Sequence, residues 1–287
     1  FPLFAPWEYL QRIQPGDPHD PLLRQILPMD REQDHTPGYT RDPVGDRPAQ
    51  LAPGLLQKYQ SRVLLVTTGA CAVHCRYCFR REYPYAETPR SLAAWQPALA
   101  QIAGDPAIDE VILSGGDPLT IADRQLAQLA RQLDPIDHLR RLRIHTRLPI
   151  MIPSRINEPL LDWLDQTRLA TIFVIHANHP AEIDSAVAEA LARLIDRGHV
   201  VLNQAVLLAG VNDDADVLVD LSRKLVDLRV IPYYLHQLDR VAGTAHFEVP
   251  IARGLRLIQR MRRRLPGYAV PRYVRERAGA ASKEILC

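Results

Sequence analysis

The chain has 287 residues, 47% of them hydrophobic, with 35 Lys and Arg against 33 Asp and Glu and a formal net charge of +2. This length and apolar fraction suffice to bury one large core or two small ones, and near-neutrality argues against a dedicated nucleic-acid surface. The first residues, Phe1 to Trp7, carry neither a basic n-region nor a long apolar run, so neither a secretory signal nor a membrane span is expected. Four cysteines and no export signal place the expected location in the reducing cytoplasm.

Ten of the 24 prolines precede residue 54. They set off residues 1–53 as an irregular N-terminal arm, with short helices expected over 6–14 and 21–27. Residues 54–287 form the second region, where apolar runs alternate with helical periods. Strands are expected over 62–68, 110–113, 142–146, 171–175, 200–207 and 230–235. Helices are expected over 92–103, 121–133, 158–167, 181–197, 214–227 and 251–265. Six β/α repeats with nearly continuous apolar strands predict a parallel sheet covered on both faces. The pattern alone fits a partial barrel or an open sheet. A barrel concentrates chemistry at the C-terminal ends of its strands, and the residues of interest fall there.

After the first strand comes Cys71-Ala-Val-His-Cys75-Arg-Tyr-Cys78, three cysteines within eight residues. Three thiolates in CxxxCxxC spacing can hold three irons of a [4Fe–4S] cluster and leave the fourth open. An open iron beside a sulfonium such as S-adenosylmethionine (SAM) generates radicals. The alternatives are a zinc site, which would need a fourth ligand such as His74, and a disulfide framework, for which four cysteines are too few.

Farther along, Ser114-Gly-Gly-Asp-Pro-Leu119 closes the second strand. Its glycines suit a turn, Asp117 an N-cap and Pro118 the first helical position, while two glycines also let backbone approach a ligand. His145, Arg147, His176 and Gln204 recur near successive strand ends, and Asp239 follows the sixth strand. Lys58, Tyr59 and Arg62 could hold a phosphate or simply line a solvated strand start. Glu276 precedes a run of small residues ending at Lys283. That lysine is either a surface charge or a lysine carried inward to bond pyridoxal phosphate (PLP).

Together these segments resemble the lysine 2,3-aminomutase family, radical-SAM enzymes that also use PLP. The resemblance runs from Asp20-Pro-Leu-Leu-Arg-Gln-Ile-Leu27 to Lys283. It includes Cys75-Arg-Tyr-Cys-Phe-Arg-Arg81, Ser114-Gly-Gly-Asp-Pro-Leu119, Leu142-Arg-Ile-His-Thr-Arg-Leu-Pro149 and Asn203-Gln-Ala-Val-Leu-Leu208. Cys-Phe-Arg-Arg-Glu-Tyr-Pro-Tyr85 and Tyr-Leu-His-Gln-Leu-Asp239 are most similar to the branch that makes (R)-β-lysine for bacterial elongation factor P. The resemblance implies a partial (β/α)6 radical-SAM barrel, with an N-terminal arm and a short C-terminal segment bearing the PLP lysine.

The implied roles follow residue by residue. Cys71, Cys75 and Cys78 would ligate the cluster, and Lys283 would bond PLP. Arg62, with Lys58 and Tyr59, would lie near the PLP phosphate. Gly115, Gly116, Arg147, His176 and Gln204 would line the SAM pocket. Arg80 would bind the substrate carboxylate, and Asp239 and Glu276 the ε-ammonium of lysine. Glu276 stands where the family usually has Asp, Lys58 where it has Arg, and the usual glycine run before the lysine keeps only Gly279.

The implied reaction starts from free L-lysine and an electron donor such as flavodoxin or ferredoxin. A 5′-deoxyadenosyl radical takes hydrogen from C3 of lysine, nitrogen migrates from C2 to C3 while bound to PLP, and the hydrogen returns. A separate ligase would attach the product to the elongation factor; a homo-oligomer is compatible with this reading. Two rivals stay open at this level: a radical-SAM enzyme without PLP, and a zinc-binding interaction module.

Overall fold

Prolines explain why the arm holds only single helical turns. In the computed structural model, which describes residues 2–287, α1 (Trp7–Leu10) and α2 (Pro21–Arg24) are each four residues long. Both are shorter than expected, because Pro15-Gly16 and Pro28 stop helices too short to gain cooperative length. Asp20 starts α2 by accepting the N–H groups of Leu22 and Leu23, both at 2.8 Å. The arm is anchored by burial. Tyr9, Leu22 and Ile26 belong to the main core cluster, and the Tyr9 hydroxyl donates to Leu22 O at 3.2 Å.

The sheet opens with β1 (Gln50–Ala52), β2 (Leu55–Tyr59) and β3 (Arg62–Thr68), which pair antiparallel. Six β/α units follow: β3 with α3 (Leu92–Gly104), β4 (Glu110–Gly115) with α4 (Asp123–Leu133), and β5 (Arg141–Thr146) with α5 (Leu148–Met151) and α6 (Glu158–Gln166). Then come β6 (Ala170–His176) with α7 (Ser185–Asp196), β7 (Val200–Val206) with α8 (Ala215–Asp227), and β8 (Ile231–His236) with α9 (Ile251–Arg262). A further parallel strand, β9 (Arg272–Arg275), carries the antiparallel β10 (Glu284–Ile285). Side-chain caps set several helix starts. Asp184 accepts Val187 N at 2.9 Å, so α7 begins four residues later than the expected 181. No helix among the described residues is long and apolar enough to cross a membrane.

All ten strands lie in chain order, β1 to β10. Parallel strands joined in sequence by crossovers of one hand put every connecting helix on the same face, so the sheet curls around its other face as a partial barrel. Burial follows that geometry. Val63 and Leu65, Leu142 and Ile144, and Val201 and Ala205 are buried, while their neighbours Arg62, Leu64, Arg143, His145, Leu202 and Gln204 stay partly exposed. Helices cover one face and the other lines a lumen that carries many of the polar residues; β4, buried along its whole length, is covered on both faces as expected. Since Leu22 ties the arm to the core at zero exposure, Leu22→Ala should cost about 2–5 kcal/mol, measured by urea unfolding.

Candidate active site

The cysteine loop is built by a close approach of two strand ends. Gly116 N donates to Thr68 O and Asp117 N to Ala70 O, both at 2.7 Å. A Cβ on Gly115 would fall 2.4 Å from Thr68 O, and one on Gly116 would fall 2.2 Å from Ala70 O. Gly115 also has φ +132°. The glycines are thus demanded by neighbouring backbone, whatever ligand they face. Asp117 caps the following turn as expected, accepting Leu119 N at 3.1 Å, and also accepts Thr146 Oγ1 and Arg147 N, both at 2.7 Å.

Cys71, Cys75 and Cys78 are half-buried on this loop, which turns through Cys78 N to Cys75 O at 3.1 Å. Burial and the adjoining thiols push the Cys71 thiol well up, and Cys78 up to about 11. Thiols that resist ionisation on their own are ones a bound metal centre would deprotonate. Arg147 donates from Nη1 to Cys75 Sγ at 2.8 Å, and from Nη2 to Gln25 Oε1 at 2.7 Å and Glu182 Oε2 at 2.9 Å. His176 joins the same group: its Nε2 is 3.0 Å from the Tyr77 hydroxyl, with the rings stacked at 5.6 Å. Cys287 packs on a different core cluster, beside Tyr273.

Between the loop and the C-terminal segment lie three lumen histidines, His145 on β5, His176 on β6 and His236 on β8. Burial holds all three well below the ordinary histidine pKa. The buried Nε2 atoms of His145 and His236 have no hydrogen-bond partner, and both histidines feel the Lys283 charge. Buried polar atoms left unpaired are costly, and here they fit a polar cofactor beside Lys283. Gln204 stands next to His176 in strand register.

The C-terminal hairpin places the lysine. Glu284 pairs with Arg275, so Lys283 and Glu276 face each other one step nearer the turn, and the Lys283 ammonium forms an ion pair with Glu276 Oε2. Tyr59 donates to Glu276 Oε1, Lys58 Nζ is 4.0 Å from it, and Arg62 stacks over the Tyr59 ring at 4.6 Å. Burial pushes the Glu276 acid up, but Lys283 and Tyr59 outweigh it and hold the pKa below the ordinary range. Asp239 and Glu276 line one cavity of about 770 Å³. Burial pushes the Asp239 acid up to about 7, with the Lys283 charge opposing and the Glu276 charge adding.

Arg80 is buried and donates from Nε to Asp46 at 2.6 Å and from Nη1 to Ser114 Oγ at 3.1 Å. The structure therefore gathers the expected residues into two groups. Cys71, Cys75, Cys78, Arg147 and His176 meet around the loop, braced by Gly115 and Gly116. Lys58, Tyr59, Glu276 and Lys283 meet at the hairpin, with Asp239 beside them and Arg62 reaching them through Tyr59. Sequence reasoning missed Gln25, Asp46, Tyr77 and Glu182. Tyr77 sits inside the cysteine motif and Gln25 inside the Asp20–Leu27 stretch, so those two carried a signal; Asp46 and Glu182 carried none.

A strand-ordered partial barrel with a three-thiol loop after its first parallel strand defines a radical-SAM fold. A radical SAM methyltransferase from Sphaerobacter thermophilus shares that fold, with TM-score 0.53 and 19% identity over 77% of this chain and 68% of that one. Residues 60–139 match a family described as a 4Fe-4S single cluster domain. L-lysine 2,3-aminomutase of Haemophilus influenzae is 45% identical over 99% of this chain and 84% of its own length. The Escherichia coli enzyme of the same name is 45% identical over 100% and 83%, and that of Clostridium subterminale 35% over 96% and 66%. The chain belongs to the lysine 2,3-aminomutase family, and is an isomerase whose family cofactors are the cluster, SAM and PLP. The reading as a zinc-binding interaction module falls with that membership.

Replacing Cys71, Cys75 or Cys78 with Ala should abolish iron loading, and Gly116→Ala should impair it because Ala70 O cannot retreat. Cys287→Ala should load normally. Iron analysis after anaerobic reconstitution checks all five, and loss of the cluster in Cys287→Ala would overturn the ligand assignment.

Proposed function

We propose that the protein converts free L-lysine to (R)-β-lysine with PLP as second cofactor, supplying the modification of elongation factor P in the cytoplasm. The observation that carries the reading is the Lys283–Glu276 pair beside Asp239. The stretches ending at Tyr85 and Asp239 resemble the elongation-factor branch, and 45% identity to the L-lysine 2,3-aminomutases of Haemophilus influenzae and Escherichia coli supports lysine as the substrate.

In this reading Cys71, Cys75 and Cys78 hold the cluster, which would receive its electron from flavodoxin or ferredoxin. Gly115, Gly116, Arg147, His176 and Gln204 border SAM. Arg62, Lys58 and Tyr59 face the PLP phosphate. PLP, when bound, supplies a π system that holds the migrating nitrogen and spreads the unpaired electron. Lys283 would bond the cofactor and no longer offer Glu276 a free ammonium, with Lys58 remaining 4.0 Å from that carboxylate. Glu276 would then receive the ε-ammonium of lysine, and Asp239 would add a second carboxylate from another loop. Arg80 meets the substrate carboxylate with a planar fork that lysine could not imitate. The lumen excludes water and keeps the reacting atoms in place.

Anaerobic incubation with labelled lysine, SAM, PLP and dithionite, followed by chiral analysis, should give (R)-β-lysine. Lys283→Ala should give none. Borohydride followed by peptide mapping should find the pyridoxyl label on Lys283; a label on Lys58 or Lys224 would sink the assignment.

A pH test follows from Asp239. Its folded pKa, about 7, lies above the unfolded value of about 4. Its contribution to the empty enzyme's stability is therefore full below about pH 4 and is lost as pH rises through 7. Lysine binding runs the other way, since only ionised Asp239 pairs with the ε-ammonium. Bonding Lys283 to PLP takes away the charge that opposes the rise in the Asp239 pKa, so kcat/KM for lysine should climb about tenfold per pH unit on the acid side and level off only at or above pH 7. Asp239→Asn should flatten that limb at a much lower kcat/KM, measured from pH 5.5 to 8.5 with PLP content held constant.

A further inference from the structure

The arm makes a turn at residues 42–47. Asp42 holds it by accepting Asp46 N at 2.8 Å and Arg47 N at 3.1 Å. Gly45, at φ +67°, passes so near the lysine loop that a Cβ there would lie 3.1 Å from Ala278 Cβ. The turn thereby delivers Asp46 between the two cations expected to meet anions. Asp46 is 2% exposed. Its Oδ2 accepts Arg80 Nε at 2.6 Å, and its Oδ1 makes an ion contact with Lys58 Nζ at 2.6 Å. Lys58 also donates to Val44 O, in the same turn, at 2.9 Å.

One carboxylate from the arm thus grips an arginine at the end of the cysteine loop and a lysine on β2. Gripping Arg80 by its Nε edge, while Ser114 Oγ takes one Nη1 bond, sets the plane of the guanidinium. A fork recognises a carboxylate only when its plane is set. Building on the proposed function above, we infer that Asp46 is a positioning residue, which presents Arg80 to the substrate carboxylate and Lys58 to the PLP phosphate. Burial opposes ionisation of Asp46, but Arg80 and Lys58 outweigh it and hold its pKa down to about 2. The grip is present at every working pH.

Two physical roles for Asp46 differ in sign. If it acted only as a charge, removing it would strengthen the binding of two incoming anions. As a positioning residue, its loss must weaken them. The test uses the full chain loaded with cluster and PLP but without reductant, so that nothing turns over. Equilibrium dialysis with labelled lysine gives Kd for wild type, Asp46→Asn, Arg80→Lys and the double variant.

Asp46→Asn should weaken lysine about 30-fold or more, as breaking a buried charge pair does, with iron content and SAM affinity unchanged. The double variant should bind within about twofold of Arg80→Lys alone, because both changes break one arrangement. Equal or tighter lysine binding by Asp46→Asn, or full additivity in the double variant, overturns the inference. Should Asp46→Asn fail to load iron, Asp46→Asn with Lys58→Gln restores charge balance. It should still bind lysine weakly, and a wild-type Kd would overturn the inference. A wild-type protein that neither binds nor converts lysine sinks the proposed function itself. An active wild type with a normal Asp46→Asn variant sinks only the role of Asp46.

Discussion

The site depends first on one buried carboxylate that takes no charge partner. Asp117 is 5% exposed, and burial pushes its acid upward despite its hydrogen bonds. Such a group is costly to bury unless donors surround it. Here the donors are Leu119 N, Thr146 Oγ1, Arg147 N and Leu148 N. Those donors come from the turn after β4 and from the end of β5, so satisfying Asp117 locks two strand ends together. Its own N–H reaches Ala70 O and brings in the end of β3. The cysteine loop and Arg147 meet because these ends cannot slide apart without stranding the carboxylate.

Around that anchor the cations of the lumen are held in exchangeable pairs. Arg147 rests on Glu182, Arg80 on Asp46 and Lys283 on Glu276. Each partner lowers the cost of burying charge in the empty enzyme. The pairs differ in how they would respond to loading. Glu182 is itself fixed by Gln25 at 3.0 Å and by Asn178 N at 2.8 Å, so Arg147 keeps its partner. Glu276 is paired with Lys283 and also lies 4.0 Å from Lys58, so under the proposed function its carboxylate is where an incoming ammonium would be received.

Much of the scaffold was legible because its signals are local. The β/α alternation came from short-range periodicity, and CxxxCxxC spacing is a property of eight neighbouring residues. The lumen left little trace in β3 and β6, which are apolar over most of their length and buried at consecutive positions, Leu65 to Thr67 and Phe173 to Ile175. Strand β9 has four residues and β10 two, too few for a periodic signal. Asp46 and Glu182 escaped for a different reason. Their partners lie 34 residues away at Arg80 and 35 away at Arg147, and Gln25 lies 157 from Glu182. No window on the chain connects them. The C-terminal Lys283 became legible through resemblance, since a terminal lysine looks like surface charge on chemistry alone.

The small residues before Lys283 take on a physical meaning from the arm. Ala278 lies where a Cβ on Gly45 would come within 3.1 Å, so larger side chains on either side would force the turn and the lysine loop apart. A family glycine run would satisfy that constraint, and Arg277-Ala-Gly-Ala-Ala-Ser282 satisfies it with alanines at lower cost in unfolded-state entropy. Gly279 keeps the one left-handed position, at φ +75°. The contact does two things at once. It shapes the loop that carries Lys283, and it seats the neighbouring Asp46 against Arg80 and Lys58. The placement of the arm's turn and the alignment of the charged groups therefore share one contact, between Gly45 and Ala278.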